Sequence, residues 1–185
     1  IFIISLFEKY VVKFAVDVTF VDLENLDEWK NAIRPNTRLL FIETPSNPLA
    51  QVGDMQAIAD IAHAHGALFA VDNTFCTPVL QQPIKFGADL IVYSSTKYID
   101  GQGRALGGAV VGKNQLVEEI NSVIRTLGNS MSPFNAWIFL KGLETLSLRM
   151  KAHCESAQKL AEWLDAHPKV EQVYYAGLPH HAGHE

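Results

Sequence analysis

Three short apolar runs, each closed by polar residues, constrain this chain more than anything else in it. Arg38 to Thr44 reads RLLFIET, Leu68 to Val71 reads LFAV and Leu90 to Tyr93 reads LIVY. Runs of this length without interior polar residues suit strands buried on both faces. After Asp54, the apolar residues Met55, Ile58, Ala59 and Ala62 fall at i, i+3, i+4 and i+7, so one face of a helix packs on the sheet until Gly66 ends it. Strand-length runs alternating with amphipathic helices predict an α/β fold with a parallel or mostly parallel sheet.

The remaining pattern fits the same plan. Val18 to Asp22 (VTFVD) reads as a short strand, Glu24 to Ala32 as a helix stopped before Pro35, and Gly107 to Val111 as another strand. Leu116, Ile120, Val123 and Leu127 mark one face of a helix, and a long helical pattern runs from Pro133 to His167-Pro168. Val170 to Tyr174 reads as a further strand. The long helix leaves the first domain, so a division into 1–147 and 148–185 is expected. The chain starts without Met in an apolar run and stops after a His-rich turn, as expected of part of a longer protein.

Composition narrows the function. A net charge of -5, with the 15 Lys and Arg residues scattered along 185 residues, argues against a nucleic-acid footprint and for a small-molecule substrate. Cys76 and Cys154 have no metal-ligand spacing and read as isolated thiols of a reducing, cytoplasmic compartment. Ile1 to Phe7 is apolar, but it is too short for a membrane span and is followed at once by Glu8 and Lys9.

Open parallel sheets bind ligands beyond the carboxyl ends of their strands. The residues there are Glu43, Ser46 and Asn47; then Asp72, Asn73 and Thr74; then Ser94, Ser95, Thr96 and Lys97. An acid, an amide, several hydroxyls and a lysine suit a cofactor with a cationic ring nitrogen, a phenolic oxygen, a phosphate and an aldehyde. Pyridoxal 5'-phosphate (PLP) has all four. A carboxylate beside the ring nitrogen holds it protonated, and lysine forms a reversible bond with the aldehyde. Taken singly, Asp72 is also turn or N-cap chemistry, Ser94 to Thr96 also cap helices, and Lys97 also suits a solvated surface. Their combination, 25 positions apart across one crossover unit, favours the cofactor.

Three stretches carry a family resemblance: Glu43-Thr-Pro-Ser-Asn-Pro48, Ala70-Val-Asp-Asn-Thr-Phe75, and Tyr93-Ser-Ser-Thr-Lys-Tyr98 with Gly101. They resemble the Cys/Met metabolism PLP enzymes, which include cystathionine synthases and lyases, methionine lyases and homoserine-ester sulfhydrylases. The resemblance covers nearly the whole chain. It implies a three-layer α/β/α fold of type I, like aspartate aminotransferase, with a smaller α+β C-terminal domain beginning. It further implies that Lys97 is the Schiff-base lysine and acid/base, Asp72 the partner of the ring nitrogen, Ser94 and Thr96 phosphate ligands, and Asn47 a neighbour of the ring hydroxyl.

Within that family, Asp100-Gly-Gln-Gly-Arg104 followed by Gly107-Gly-Ala resembles the O-succinylhomoserine sulfhydrylases. The same stretch also reads as a glycine-rich turn whose Arg104 is solvated or pairs with a structural acid. The resemblance implies an amino-acid substrate with sulfide, a homotetramer built from dimers, and further pocket residues upstream of Ile1, downstream of Glu185 and on a neighbouring subunit. Sibling activities are the nearest alternatives, namely cystathionine gamma-synthase and the methionine or cystathionine lyases. A non-catalytic paralogue and a receiver-like signalling module are remoter. No metal site is expected: His63 and His65 suit a helix C-terminus, and His180, His181 and His184 an exposed loop.

Overall fold

The computed structural model describes residues 2–184. Four strands form one sheet in the order β1-β2-β3-β4: β1 is Leu39–Glu43, β2 Leu68–Asp72, β3 Leu90–Ser94 and β4 Gly108–Gly112. The first three run parallel, and β4 returns antiparallel to β3. The three uninterrupted apolar runs are the three parallel strands. β4 reverses because the turn after Ser94 re-enters the sheet at the same edge, whereas helices carry the chain back between the others.

The helices are α1 (Phe2–Lys9), α2 (Leu26–Ala32), α3 (Met55–Ala64), α4 (Thr77–Leu80), α5 (Asn114–Leu127) and α6 (Pro133–Asp165). Their starts follow capping chemistry. Asn25 accepts from the backbone N–H groups of Asp27 and Glu28, Asp54 from Ala57, and Ser132 from Asn135, with Pro133 opening α6. Asn25 therefore starts α2 two residues later than the sequence pattern predicts. α6 runs 33 residues, about 50 Å, and passes Leu148 without a break.

The core follows the helix periodicity. Ile58, Ala59 and Ala62 of α3 are wholly buried against Leu40, Ile42, Phe69 and Val71 of the sheet. Each large side chain among them contributes about 1.5–3 kcal/mol by burial. On the opposite face Phe7 of α1 meets Phe41 of β1 edge to face, with ring centroids 5.7 Å apart. Helices thus cover both faces of a mostly parallel sheet, the α/β arrangement expected.

Two expected strands do not form. Val18 to Asp22 and Val170 to Tyr174 are irregular, and neither pairs with any strand among the described residues. Phe20 and Tyr174 are about half exposed, at 52% each. β-propensity becomes a strand only where a neighbouring strand accepts the ladder, and these segments have none.

Candidate active site

Pleat alternation sorts the residues at the carboxyl edge into two sets. The register places Glu43 beside Asp72 and Asp72 beside Val92, so Glu43, Asp72 and, one pleat further, Ser94 share one face. Thr44, Asn73 and Tyr93 belong to the other.

The second set is a structural knot. Asn73 is wholly buried, and its Nδ2 lies 3.1 Å from the Thr77 carbonyl, 2.9 Å from the Gln81 carbonyl and 3.2 Å from the Tyr93 hydroxyl. Gln81 Nε2 donates to Asn73 Oδ1 (2.8 Å) and to the Thr44 carbonyl (2.9 Å). Burial pushes the Tyr93 hydroxyl above its usual pKa, against the hydrogen bond from Asn73. The sequence grouped Asn73 with Asp72, but alternation turns it into the core.

The first set keeps its polar groups available. Asp72 Oδ1 accepts from Thr74 N (3.0 Å), and Thr74 Oγ1 accepts from Ser94 N (2.8 Å), so a short relay joins β2 to β3. The turn chemistry expected of a strand-end Asp is present, yet it occupies one oxygen only. Among the described residues, Asp72 Oδ2 and the hydroxyl of Ser94 have no hydrogen-bond partner. Burial first, and the charge of Asp72 second, push the Glu43 carboxyl above its usual range.

Lys97 lies in the turn just beyond β3. Its N–H donates to the Ser94 carbonyl (3.2 Å) and its carbonyl accepts from Gly101 N (2.7 Å), which leaves the side chain exposed. Gly101 takes φ of +75°, a conformation costly to other residues. Thr96 is placed differently: its Oγ1 donates to the Gly107 carbonyl (3.3 Å) and accepts from Gly107 N (3.1 Å). That hydroxyl has one proton, so donating to another ligand means releasing Gly107. Asn47 is exposed in the loop after β1, beside a Ser46–Gln51 closure (Ser46 N to Gln51 O, 2.9 Å).

Asp100 and Arg104 form a closed unit. The wholly buried Asp100 carboxylate accepts from Arg104 N and, at 2.8 Å, from Arg104 Nε. Burial alone would raise its pKa, but the Arg104 hydrogen bonds and charge hold it below the usual carboxylate range. Arg104 thus pairs with a structural acid. Of the histidines, His63 Nε2 lies 2.9 Å from buried Asp89, which Lys113 also pairs at 3.0 Å, and His65 Nδ1 lies 2.9 Å from the Ile61 carbonyl. His180 sits 3.5 Å from Asp165.

One residue near the turn had no sequence signal. Arg149 of α6 reaches the Tyr98 and Ile99 carbonyls, about 50 positions away in the chain. An open cleft of about 440 Å³ between α5 and strands β3 and β4 is lined by Val92, Val110, Val117, Ile120 and Ile124. It is mainly apolar, with Glu118 and Asn121 at its lining, and contains none of Asp72, Lys97 or Asn47.

Comparison with known proteins gives the family. The family model described as Cys/Met metabolism PLP-dependent enzyme matches residues 3–185. The chain belongs to that family. It is 58% identical over 98% of its length to an O-succinylhomoserine sulfhydrylase of Pseudomonas aeruginosa, of which it covers 45%. It is 43% identical over 95% of its length to an L-methionine gamma-lyase of Fusobacterium nucleatum, again covering 45%. A crystal structure of cystathionine gamma-lyase from Lactobacillus plantarum, complexed with L-serine, superposes with a TM-score of 0.95 at 35% identity, over 98% of this chain and 48% of that one. The chain therefore spans about half the length of the relatives it matches, and its α/β sheet is that of the Cys/Met metabolism PLP-dependent enzymes. The groups at the edge fit the cofactor of that family: an acid for a ring nitrogen and, without partners among the described residues, an amine for an aldehyde and a hydroxyl for a phosphate.

Proposed function

We propose that the complete protein is a PLP-dependent sulfhydrylase that converts O-succinylhomoserine and sulfide into homocysteine and succinate. The observation that carries the choice of reaction is the 58% identity to the Pseudomonas aeruginosa sulfhydrylase, against 42–46% to methionine gamma-lyases. In the net reaction the C–O bond at the gamma carbon breaks, succinate leaves and a C–S bond forms at the same carbon. PLP, when bound, supplies the electron sink that makes the alpha and beta C–H bonds of the amino acid acidic.

Lys97 has two proposed tasks, and the other residues one each. Lys97 would hold the cofactor through its aldehyde carbon and, when its amine is free, would remove and return the alpha proton. Its lack of an ion pair among the described residues supports this. Asp72 keeps the ring nitrogen protonated through Oδ2, while Thr74 fixes the carboxylate through Oδ1. Ser94 donates its hydroxyl to the phosphate, and Thr96 does so by exchanging Gly107 for it. Asn47 approaches the ring hydroxyl from the loop after β1.

We take residues 148–185 as the start of the C-terminal domain, and the complete enzyme as a cytoplasmic homo-oligomer. The exposed apolar side chains Trp137, Leu140 and Leu143 along α6 support an interface. A second reading is a gamma-lyase, favoured by the methionine and cystathionine lyases among the relatives. The test supplies the complete enzyme with O-succinylhomoserine plus sulfide, O-succinylhomoserine plus cysteine, and methionine alone. Homocysteine from the first supports the sulfhydrylase; cystathionine from the second alone, or thiol release from the third alone, overturns it.

A further inference from the structure

We infer that Arg149 is a positioning residue that sets the place of Lys97 by anchoring its turn to helix α6. The inference rests on the reading of Lys97 as the cofactor lysine. It begins from an arginine with no carboxylate among its described partners. Nη1 of Arg149 donates to the Tyr98 carbonyl (2.7 Å), and Nη2 to the carbonyls of Ile99 (3.2 Å) and Gly142 (2.8 Å). Nε donates to Thr145 Oγ1 (3.0 Å). Four of its five N–H groups are committed, two of them to the two residues that follow Lys97.

The guanidinium packs closely against the turn. A Cβ at Gly101, whose N–H closes the turn on the Lys97 carbonyl, would meet the Arg149 guanidinium and displace it. Gly142 has no room for a Cβ because the Ile99 carbonyl lies against it, so the backbone of α6 touches the turn directly. One helical turn beyond Arg149, the ring of His153 meets the Tyr98 ring edge to face at 5.5 Å. α6 thus holds Tyr98 by its carbonyl and by its ring. The other side of the turn is held by the Asp100–Arg104 unit.

An arginine that donates to three carbonyls and a hydroxyl, and to no carboxylate among the described residues, supplies geometry rather than charge pairing, and its planar fork is what matches two successive carbonyls. Lysine has no such fork. The amine of Lys97 must meet both an aldehyde carbon and an alpha proton, and a displacement of about 1 Å at such a centre costs on the order of a hundredfold in rate.

The experiment compares the complete, PLP-loaded enzyme with its Arg149→Lys, Arg149→Met and Thr145→Val variants. Three readings are taken: kcat and KM, the pH midpoint of the change in the cofactor's visible absorption, and the thermal midpoint of the cofactor-free protein. The expected result for both Arg149 variants is a kcat loss of about a hundredfold with KM little changed, and a displaced absorption midpoint. Arg149→Lys, which keeps the charge, fails to rescue. Thr145→Val, which removes only the Nε contact, moves the same readings in the same direction by less, and carries the test if an Arg149 variant does not fold. A lowered thermal midpoint with unchanged kcat and unchanged absorption midpoint overturns the positioning role and leaves the Lys97 reading intact. Absence of any lysine-linked cofactor in the unaltered enzyme overturns both.

Discussion

Glu43 and Asp72 stand side by side on adjacent parallel strands, on one face of the sheet, and the fold raises the proton affinity of Glu43. A carboxyl whose folded pKa lies above its unfolded value stabilises the fold while protonated. That contribution is present below the unfolded pKa, about 4.3, and is lost as pH rises through the folded pKa. The cofactor-free Glu43→Gln variant should therefore melt above the unaltered protein at pH 8, and the gap should close near pH 4. A gap that does not change with pH contradicts this account of the pair.

Asp72→Asn separates charge from shape. The amide oxygen still accepts from Thr74 N, so the relay from Asp72 to Ser94 persists and the fold is retained. Loss of the charge lowers the proton affinity of the ring nitrogen by roughly 1–3 pKa units, so kcat should fall about 10- to 1000-fold. Circular dichroism and steady-state kinetics read the two effects apart. A variant with undiminished kcat would show that the acid is only a turn former.

Ser94 and Thr96 should divide their effects in opposite ways. Ser94→Ala removes a hydroxyl with no protein partner among the described residues, so PLP affinity should fall about tenfold, the scale of one hydrogen bond, with no change in melting. Thr96→Val breaks two contacts to Gly107 and should lower the melting temperature of the cofactor-free protein as well. Titration of PLP and thermal melts of both variants give the comparison. Equal melting losses in the two would refute the division.

Arg104→Ala leaves the buried Asp100 carboxylate its backbone donor at position 104 but removes the guanidinium hydrogen bond and charge. The expected cost is about 1–3 kcal/mol at neutral pH. Because Asp100 has a lowered folded pKa, its contribution is present above the unfolded value and lost as pH falls through the folded one, so the deficit should shrink in acid. The ratio of homocysteine to lyase products should stay the same, since Arg104 is committed to Asp100. A changed ratio would return Arg104 to substrate selection.

The strands and helices that position the site were legible because burial imposes a period: the apolar runs became β1 to β3, and the Ile58-Ala59-Ala62 stripe became the buried face of α3. Two segments with good strand composition failed because pairing depends on a neighbour that composition does not reveal. The proposed site residues Asp72, Ser94 and Lys97 stand at or just beyond the ends of β2 and β3, where strand ends in the sequence pointed. The division of Asp72 from Asn73 followed from alternation, which the sequence already contained. Arg149 was not legible, because its partners lie about 50 positions away and only the packing of α6 on the turn brings them together.

The central claim is that Lys97 carries the cofactor. The direct measurement is borohydride reduction of the complete protein after incubation with PLP, followed by mass spectrometry of its peptides. The account predicts loss of the visible absorption band and a stable pyridoxyl group on Lys97, both absent from Lys97→Ala. A label on another lysine, or none at all, would contradict it.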